Sequence, residues 1–477
     1  MMHLSNLYFF QKLGVVWLEE QNGRGIIGDD MGLGKTVQAI AYLKRHPELR
    51  PALIICPATI KLNWKREIYT WNEENSTLIE GRKAKPLISN PFYIINWDIL
   101  ASETTIHDEK HRPKKILLES SWIFKLPELG IKAIIGDEIQ AISSMKAIRT
   151  KAFHTLVKSK EMEKTKIILL SGTPIKNRPS EFFSSLNITA PLSFPNHYKY
   201  LHRYCGPYFN GFGWTFNGAS NIEELNEKIK PFMLRREKSE VLTDLPPKNR
   251  IIIELETDKL LLENYKKASE EFLLWLKDHV SSGAEAQTNL DRLKQLAYIA
   301  KRNSGIKWIQ DYINSGNKLV IGAYHTNAIH DIYESFKKES VIIDGSITGP
   351  KRQEAVDEFQ NNEKIKLIIC QILTVPGLTL TAAAATAAIE FAWSAADHIQ
   401  FEDRVHRISQ EADSVFAYYL VAPETIEMKL AEMIQKKYKI VSEILDGKKN
   451  NELFDGNLLQ GLLKDYKAKF SNKGVIS

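Results

Sequence analysis

Cysteine is scarce: Cys56, Cys205 and Cys370 are the three in 477 residues, far apart and without a Cys-x-x-Cys pair. That excludes a disulfide framework and a cysteine zinc site, and fits a reducing, intracellular setting. Long apolar runs are also missing, since no stretch approaches the roughly 20 residues that span a bilayer. Residues 1–10 lack the basic and then apolar character of a leader. The expectation is a soluble protein with no membrane partner, cytoplasmic, and nucleoid-associated if bacterial or phage. Neither charge sign dominates: 64 Lys and Arg against 58 Asp and Glu leave +6. A surplus of this size is a mild pointer to a polyanionic partner and says nothing about fold.

What is present is apolar bulk, 43% hydrophobic against 26% charged, over a length that suits two or three domains. Short apolar runs recur between helical patterns, at 52–56, 92–95, 133–136 and 167–170, then at 319–321, 341–343, 367–370 and 416–420. Unbroken Ile/Leu/Val runs of this length suit strands covered on both faces, so two parallel sheets with flanking helices are expected. Between the two series, 258–280 has apolar residues at near-helical spacing and predicts a long helix. Pro246 and Pro247 break any helix there and mark a candidate boundary. The alanine-rich stretch 382–388 is too short for a repeat.

Three segments carry chemistry. Gly28-Asp29-Asp30-Met31-Gly32-Leu33-Gly34-Lys35-Thr36 runs into a helical pattern. Glycines admit phosphate oxygens to backbone N–H groups, Lys35 supplies charge and Thr36 can ligate magnesium. Asp29 stands where the usual loop has glycine. Asp137 and Glu138 follow the run 133–136, where one carboxylate can order magnesium and the other polarise the attacking water. An isolated Asp-Glu at a strand end is more often a solvated turn, so this pair counts only alongside Lys35. Arg404 and Arg407 stand three apart, on one face if helical, and such residues serve either as surface ion-pairing groups or as arginine fingers.

Taken in order and spacing, these segments resemble the superfamily-two helicases, in particular the Swi/Snf family. Gln11 with Gly14, Val15 and Trp17 resembles the adenine-reading motif; Cys56-Pro57-Ala58-Thr59 with Asn63-Trp64 resembles motif Ia; Leu170-Ser171-Gly172-Thr173-Pro174 resembles motif III. Met233-Leu234-Arg235-Arg236 resembles the linker between lobes, and Asp403-Arg404-Val405-His406-Arg407-Ile408 the last motif. Tyr204-Cys205-Gly206 and Arg178-Pro179 look closest to the annealing-helicase, HARP-like branch.

The resemblance implies an α/β fold of two tandem RecA-like helicase lobes with parallel sheets and helical insertions between them. The expected division is 1–190 for the ATP-binding lobe, 191–300 for insertion and linker, and 301–477 for the helicase lobe. It implies ATP and Mg2+ between the lobes, with Gln11 and Gln400 on the nucleotide. Gly32, Gly34, Lys35 and Thr36 would hold phosphates, Asp30 belongs to the same cofactor-binding set, and Thr36 and Asp137 would hold the metal. Glu138 would activate water, Gln140 would couple the acidic motif to motif III, and Arg404 and Arg407 would complete the site. Thr59, His325 and Thr379 are the implied DNA contacts, and the basic cluster 110–115 could add to them. The expected activity is a DNA-dependent ATPase that translocates on double-stranded or forked DNA, as a monomer served by a recruiting protein and acting in DNA repair or related remodelling.

The chain departs from the pattern at five places, one of them Ser409 in place of the glycine after the second arginine. Gln140 replaces the histidine that ends the acidic motif, Ser143-Ser144 replace Lys-Asn, and Gly322 stands where motif IV carries an aromatic. Pro376 interrupts the glycine-rich turn of motif V, which removes an N–H donor. These departures keep two other readings open, a strand-separating helicase and a nucleotide-binding scaffold with decayed catalysis.

Overall fold

The computed structural model describes residues 6–434, apart from 108–112, 176–177, 212, 243–244, 279–282, 348, 375–376, 409 and 433. The chain separates into two compact units, one reaching Thr243 and the next beginning at Asp244. The division falls inside the 191–300 segment, next to the prolines that mark the sequence boundary.

The first unit holds strands β1 (Arg24–Ile27), β2 (Ala52–Cys56), β3 (Ser76–Leu78), β4 (Phe92–Asn96), β5 (Glu103–His107), β6 (Pro113–Leu117), β7 (Ala133–Asp137), β8 (Lys166–Leu170), β9 (Tyr208–Phe209), β10 (Trp214–Thr215) and β11 (Met233–Leu234). Seven of them form one sheet in the order β11-β1-β8-β7-β2-β4-β3. Every pairing in it is parallel. The remaining strands form two antiparallel hairpins, β5-β6 and β9-β10. The Met233–Leu234 segment, read from sequence as linker, is the edge strand of this sheet, hydrogen-bonded beside β1.

The second unit holds β12 (Lys248–Glu254), β13 (Leu319–Ala323), β14 (Ser340–Ile343), β15 (Leu367–Gln371), β16 (Ala385–Ala388) and β17 (Val415–Val421). They form a six-stranded sheet in the order β12-β17-β16-β13-β15-β14, again wholly parallel. Successive residues serve opposite faces: Leu319, Ile321 and Ala323 lie in one core cluster and Val320 in the other. Both faces are therefore covered, which is why these strands read as unbroken apolar runs. The alanine-rich stretch supplies β16, fully buried and one of the two central strands of this sheet. The long helix expected at 258–280 is Lys259–Asp278, and a second of 32 residues, Gly283–Asn314, follows it. Among the described residues no helix is long and apolar enough to cross a membrane.

Candidate nucleotide site and motor motifs

In a parallel sheet all the carboxyl ends lie along one edge, and ligands gather there. In the first unit the strand order β11-β1-β8-β7-β2 puts five motif segments side by side on that edge. Arg235 and Arg236 follow β11, Gly28–Thr36 follows β1, Ser171 follows β8, Asp137 ends β7 and Thr59 follows β2. Chain order scatters these segments across more than 200 residues; sheet order makes them neighbours.

The phosphate loop closes through glycine backbone geometry. Gly32 has φ +87° and Gly34 has φ +73°, the left-handed region open to glycine. A Cβ on Gly34 would sit 2.5 Å from Gln11 Nε2, so the loop and Gln11 are packed against each other. Gln11 is buried and donates to Leu33 O at 3.3 Å while accepting from Tyr8 N at 3.1 Å. Lys35 opens the helix Lys35–Arg45, with Thr36 next to it at the start of the same helix. The Lys35 ammonium donates to the carbonyls of Asp29 at 2.8 Å and Asp30 at 3.1 Å. Burial pushes the lysine down from its ordinary range, and the carboxylates of Glu138, Asp29, Asp137 and Asp30 oppose that.

Asp29, the residue in place of the expected glycine, is wholly buried. Arg236 donates to it through two nitrogens, one at 2.9 Å, and Gln38 Nε2 donates at 3.0 Å. Arg235 pairs with Asp30 at 2.8 Å and also donates to Gly28 O at 2.8 Å. The two arginines after β11 thus brace the loop from outside. Sequence reasoning quoted both only as linker residues, and the acidic pair Asp29-Asp30 was the available signal.

Asp137 is held by Trp64, whose indole donates to Oδ2 at 2.8 Å, and by Trp97, whose indole donates to its carbonyl at 2.8 Å. Burial and the adjoining Glu138 carboxylate push Asp137 up to about 7, against the Trp64 hydrogen bond and the Lys35 charge. Glu138 adopts φ 55°, uncommon for a residue with a side chain and typical of functional turns. Gln140 Nε2 donates to Glu138 Oε2 at 2.6 Å, Ser171 Oγ donates to Gln140 Oε1 at 2.9 Å, and Thr173 N donates to Ser171 Oγ at 3.0 Å. A hydrogen-bonded path thus runs from Glu138 through Gln140 and Ser171 to Thr173. Thr59 is exposed in the short turn after β2.

The remaining candidates lie in the second unit. The arginines are not on a helix: Ala395–Glu402 is helical, and Asp403–Arg407 continues as turns. Gln400 is buried on that helix. Arg404 is buried, donating to Gln400 O at 2.6 Å and Leu378 O at 3.3 Å. Arg407 is half-buried and donates to Thr379 Oγ1 at 2.7 Å, which joins the last motif to motif V within this unit. Pro376 and Ser409 fall outside the described residues, as do residues 110–112 of the basic cluster. His325 follows β13 and faces Glu390, from the segment after neighbouring β16; Nδ1 lies 2.8 Å from Oε1. The pair lines a cavity of about 290 Å³ with Tyr298, Arg302 and Asp331. At Gly322 a Cβ would lie 2.6 Å from Phe401 Cζ, so Phe401 already occupies the space of the absent aromatic.

Among the described residues no group of three or more His, Cys, Asp and Glu stands ready to hold a metal. The donor set that is present, the Thr36 hydroxyl at the end of the phosphate loop and the Asp137 carboxylate at the end of β7, still suits magnesium, which keeps several waters and takes phosphate oxygens beside a protein ligand or two.

The SNF2-related domain profile matches residues 10–304, and the helicase conserved C-terminal domain profile matches 304–409. The DNA annealing helicase and endonuclease ZRANB3 of Bos taurus is 30% identical over 464 residues, covering 93% of this chain and 41% of that protein. The SWI/SNF-related matrix-associated actin-dependent regulator of chromatin subfamily A-like protein 1 of Xenopus laevis is 31% identical, covering 92% of this chain and 44% of that protein. This chain thus spans about two-fifths of the length of these curated relatives. A solved Sulfolobus solfataricus SWI2/SNF2 ATPase core in complex with dsDNA aligns over 93% of each chain at 23% identity, with a TM-score of 0.42. With its two parallel-sheet lobes and a profile match over more than half its length, the chain belongs to the SNF2-related family.

Proposed function

We propose that this protein is an ATP-driven translocase on double-stranded or forked DNA that remodels or reanneals DNA structures or displaces bound proteins. The observation that carries the reading is the unbroken relay Glu138–Gln140–Ser171–Thr173 beside a braced phosphate loop. A site whose catalysis had decayed would have no reason to keep a short hydrogen bond aimed at one carboxylate.

In this reading Gln11 reads the adenine, Gly32 and Gly34 offer backbone donors to phosphate, and Lys35 leaves the Asp29 and Asp30 carbonyls to bind it. Thr36 and Asp137 would hold magnesium, which would supply positive charge to offset the charge on the phosphates. Trp64 and Trp97 fix Asp137, and Gln140 aims Glu138 at the attacking water. Gln400, Arg404 and Arg407 keep their sequence-derived roles toward nucleotide, and Thr59, His325 and Thr379 theirs toward DNA. A motor that steps over any sequence grips phosphates and not base edges, so its DNA affinity falls steeply with salt. Relatives named as an annealing helicase and a chromatin regulator support the DNA substrate.

The test is steady-state ATP hydrolysis with no nucleic acid, single-stranded DNA, duplex, fork and RNA, with Glu138→Gln and Lys35→Ala as controls. Stimulation by duplex or fork that both variants abolish is expected. Stimulation by single strands or RNA alone would establish an unwinding helicase instead, and no hydrolysis under any condition a binding-only scaffold.

A further inference from the structure

Residues 182–222 of the first unit contain no aspartate or glutamate and include Lys199, His197 and His202, while their Arg203 is ion-paired with Glu224 just beyond the stretch. Within this stretch the helix His197–Tyr204 and the β9-β10 hairpin line up aromatic rings in one continuous row. Tyr198 and His202 stand one helical turn apart with ring centroids 4.2 Å apart. His202 meets Trp214 at 4.9 Å, and Trp214 meets Phe209 at 5.7 Å. The last contact follows from strand pairing, because Phe209 and Trp214 are direct cross-strand partners and leave the same face.

The hairpin is braced at its base. Gly206 and Gly218 bring their backbones so close that a Cβ on Gly206 would lie 3.0 Å from Gly218 Cα, and Gly206 itself has φ +52°. Gly218 N donates to Cys205 O at 3.2 Å, and Gly206 N donates to Ser220 Oγ at 3.1 Å. The Cys205-Gly206 pair singled out in the sequence is thus the hinge stone of a fixed projection.

What the projection carries is poorly used by the fold. Tyr198 is 60% exposed, Phe209 53% and Trp214 50%, so three large rings leave half or more of their surface in water. In the same row His202 Nε2 is shielded from solvent and meets no hydrogen-bonding partner among the described residues.

We propose that this row stacks the unpaired bases of a single-stranded arm, so that the protein holds branched DNA at a point where strands part. Every base has a π-face, and stacking on aromatic side chains tolerates any sequence, as a motor requires. The flanking phosphates meet Lys199 and no carboxylate from 182–222. The inference rests on the DNA reading above and adds to it a second, single-strand contact.

The experiment is equilibrium binding of the full chain to a single strand, a duplex and a fork carrying 2-aminopurine in the unpaired arm. Trp214→Ala and Tyr198→Ala are compared with Trp214→Phe, and thermal melting reports the fold. We expect each alanine variant to weaken single-strand and fork binding roughly tenfold to a hundredfold and to leave duplex binding within about twofold, with Trp214→Phe retaining most of the affinity. Quenching of 2-aminopurine should accompany binding of the wild type and disappear in Trp214→Ala. Equal losses on all three DNAs, or no loss on any, would overturn the proposal. Failure of the motor reading would show separately, as wild-type ATP hydrolysis that duplex does not stimulate.

Discussion

Gln140 accepts the Ser171 hydroxyl at 2.9 Å while its amide nitrogen donates to Glu138 at 2.6 Å. One side chain therefore fixes the carboxylate after β7 relative to the loop after β8. A hydrogen bond to a charged group contributes about 1.5–3 kcal/mol, so Gln140→Ala should lower ATP turnover roughly tenfold to a hundredfold with little change in nucleotide affinity. Gln140→His should recover part of the loss, because imidazole can also donate on one side and accept on the other. Turnover and nucleotide titrations on the two variants check this; unchanged turnover in Gln140→Ala would remove the relay from the mechanism.

Arg236 neutralises Asp29, which has 0% side-chain exposure against 13% for the arginine. Removing one partner of a buried ion pair strands the other charge, at a cost of about 3–5 kcal/mol. Arg236→Ala should therefore destabilise the first unit by about that much, and Asp29→Asn in the same background should restore a large part. Denaturant unfolding of the single and double variants measures both effects.

Phe401 fills the space over Gly322, where its Cζ would lie 2.6 Å from a Cβ. Gly322→Phe, which restores the family's aromatic, should destabilise by about 1–3 kcal/mol or more through overpacking. Phe401→Ala alone opens a cavity and should cost about 3–5 kcal/mol. Combined, the two should cost much less than their sum, since the new ring enters the vacated space. A double-mutant cycle by chemical unfolding decides it, and strict additivity would show that the two positions do not share one space.

His398 lies buried, with Nε2 accepting from Ala392 N at 3.1 Å. Burial lowers its pKa from 6.5 to about 4. Between those values the unfolded chain binds a proton that the native ring refuses. The stability held above 6.5 is therefore lost progressively as pH falls toward 4, by at most about 1.4 kcal/mol per pH unit. His154 in the first unit is lowered to about 4 in the same sense. His398→Gln, which keeps an acceptor for Ala392, should flatten the fall in melting temperature between about pH 7 and about pH 5. An acid limb identical to wild type would show that other groups govern it.

Much of this protein was determined by its sequence alone. Strands such as 52–56, 133–137 and 367–371 are buried on both faces, so their composition is locally dictated and announces itself. Gly34, Lys35, Asp137, Glu138 and the arginine pair were equally readable as candidates, because phosphate binding and water activation need particular residue types at particular spacing. The β16 strand was hidden, since alanine has little preference for strands and Ala385–Ala388 is extended only because β13 and β17 flank it.

Tertiary structure alone decided which distant groups meet. Chain order gives no hint that β11 lies beside β1, and only that pairing delivers Arg236 to Asp29 across 207 residues of sequence. Sheet order likewise puts Trp64 on Asp137 and Ser171 on Gln140, and core packing puts Phe401 over Gly322. Local sequence specifies a residue's chemistry and the faces of its own element, whereas contacts between elements depend on strand order and packing, which no short stretch of chain encodes.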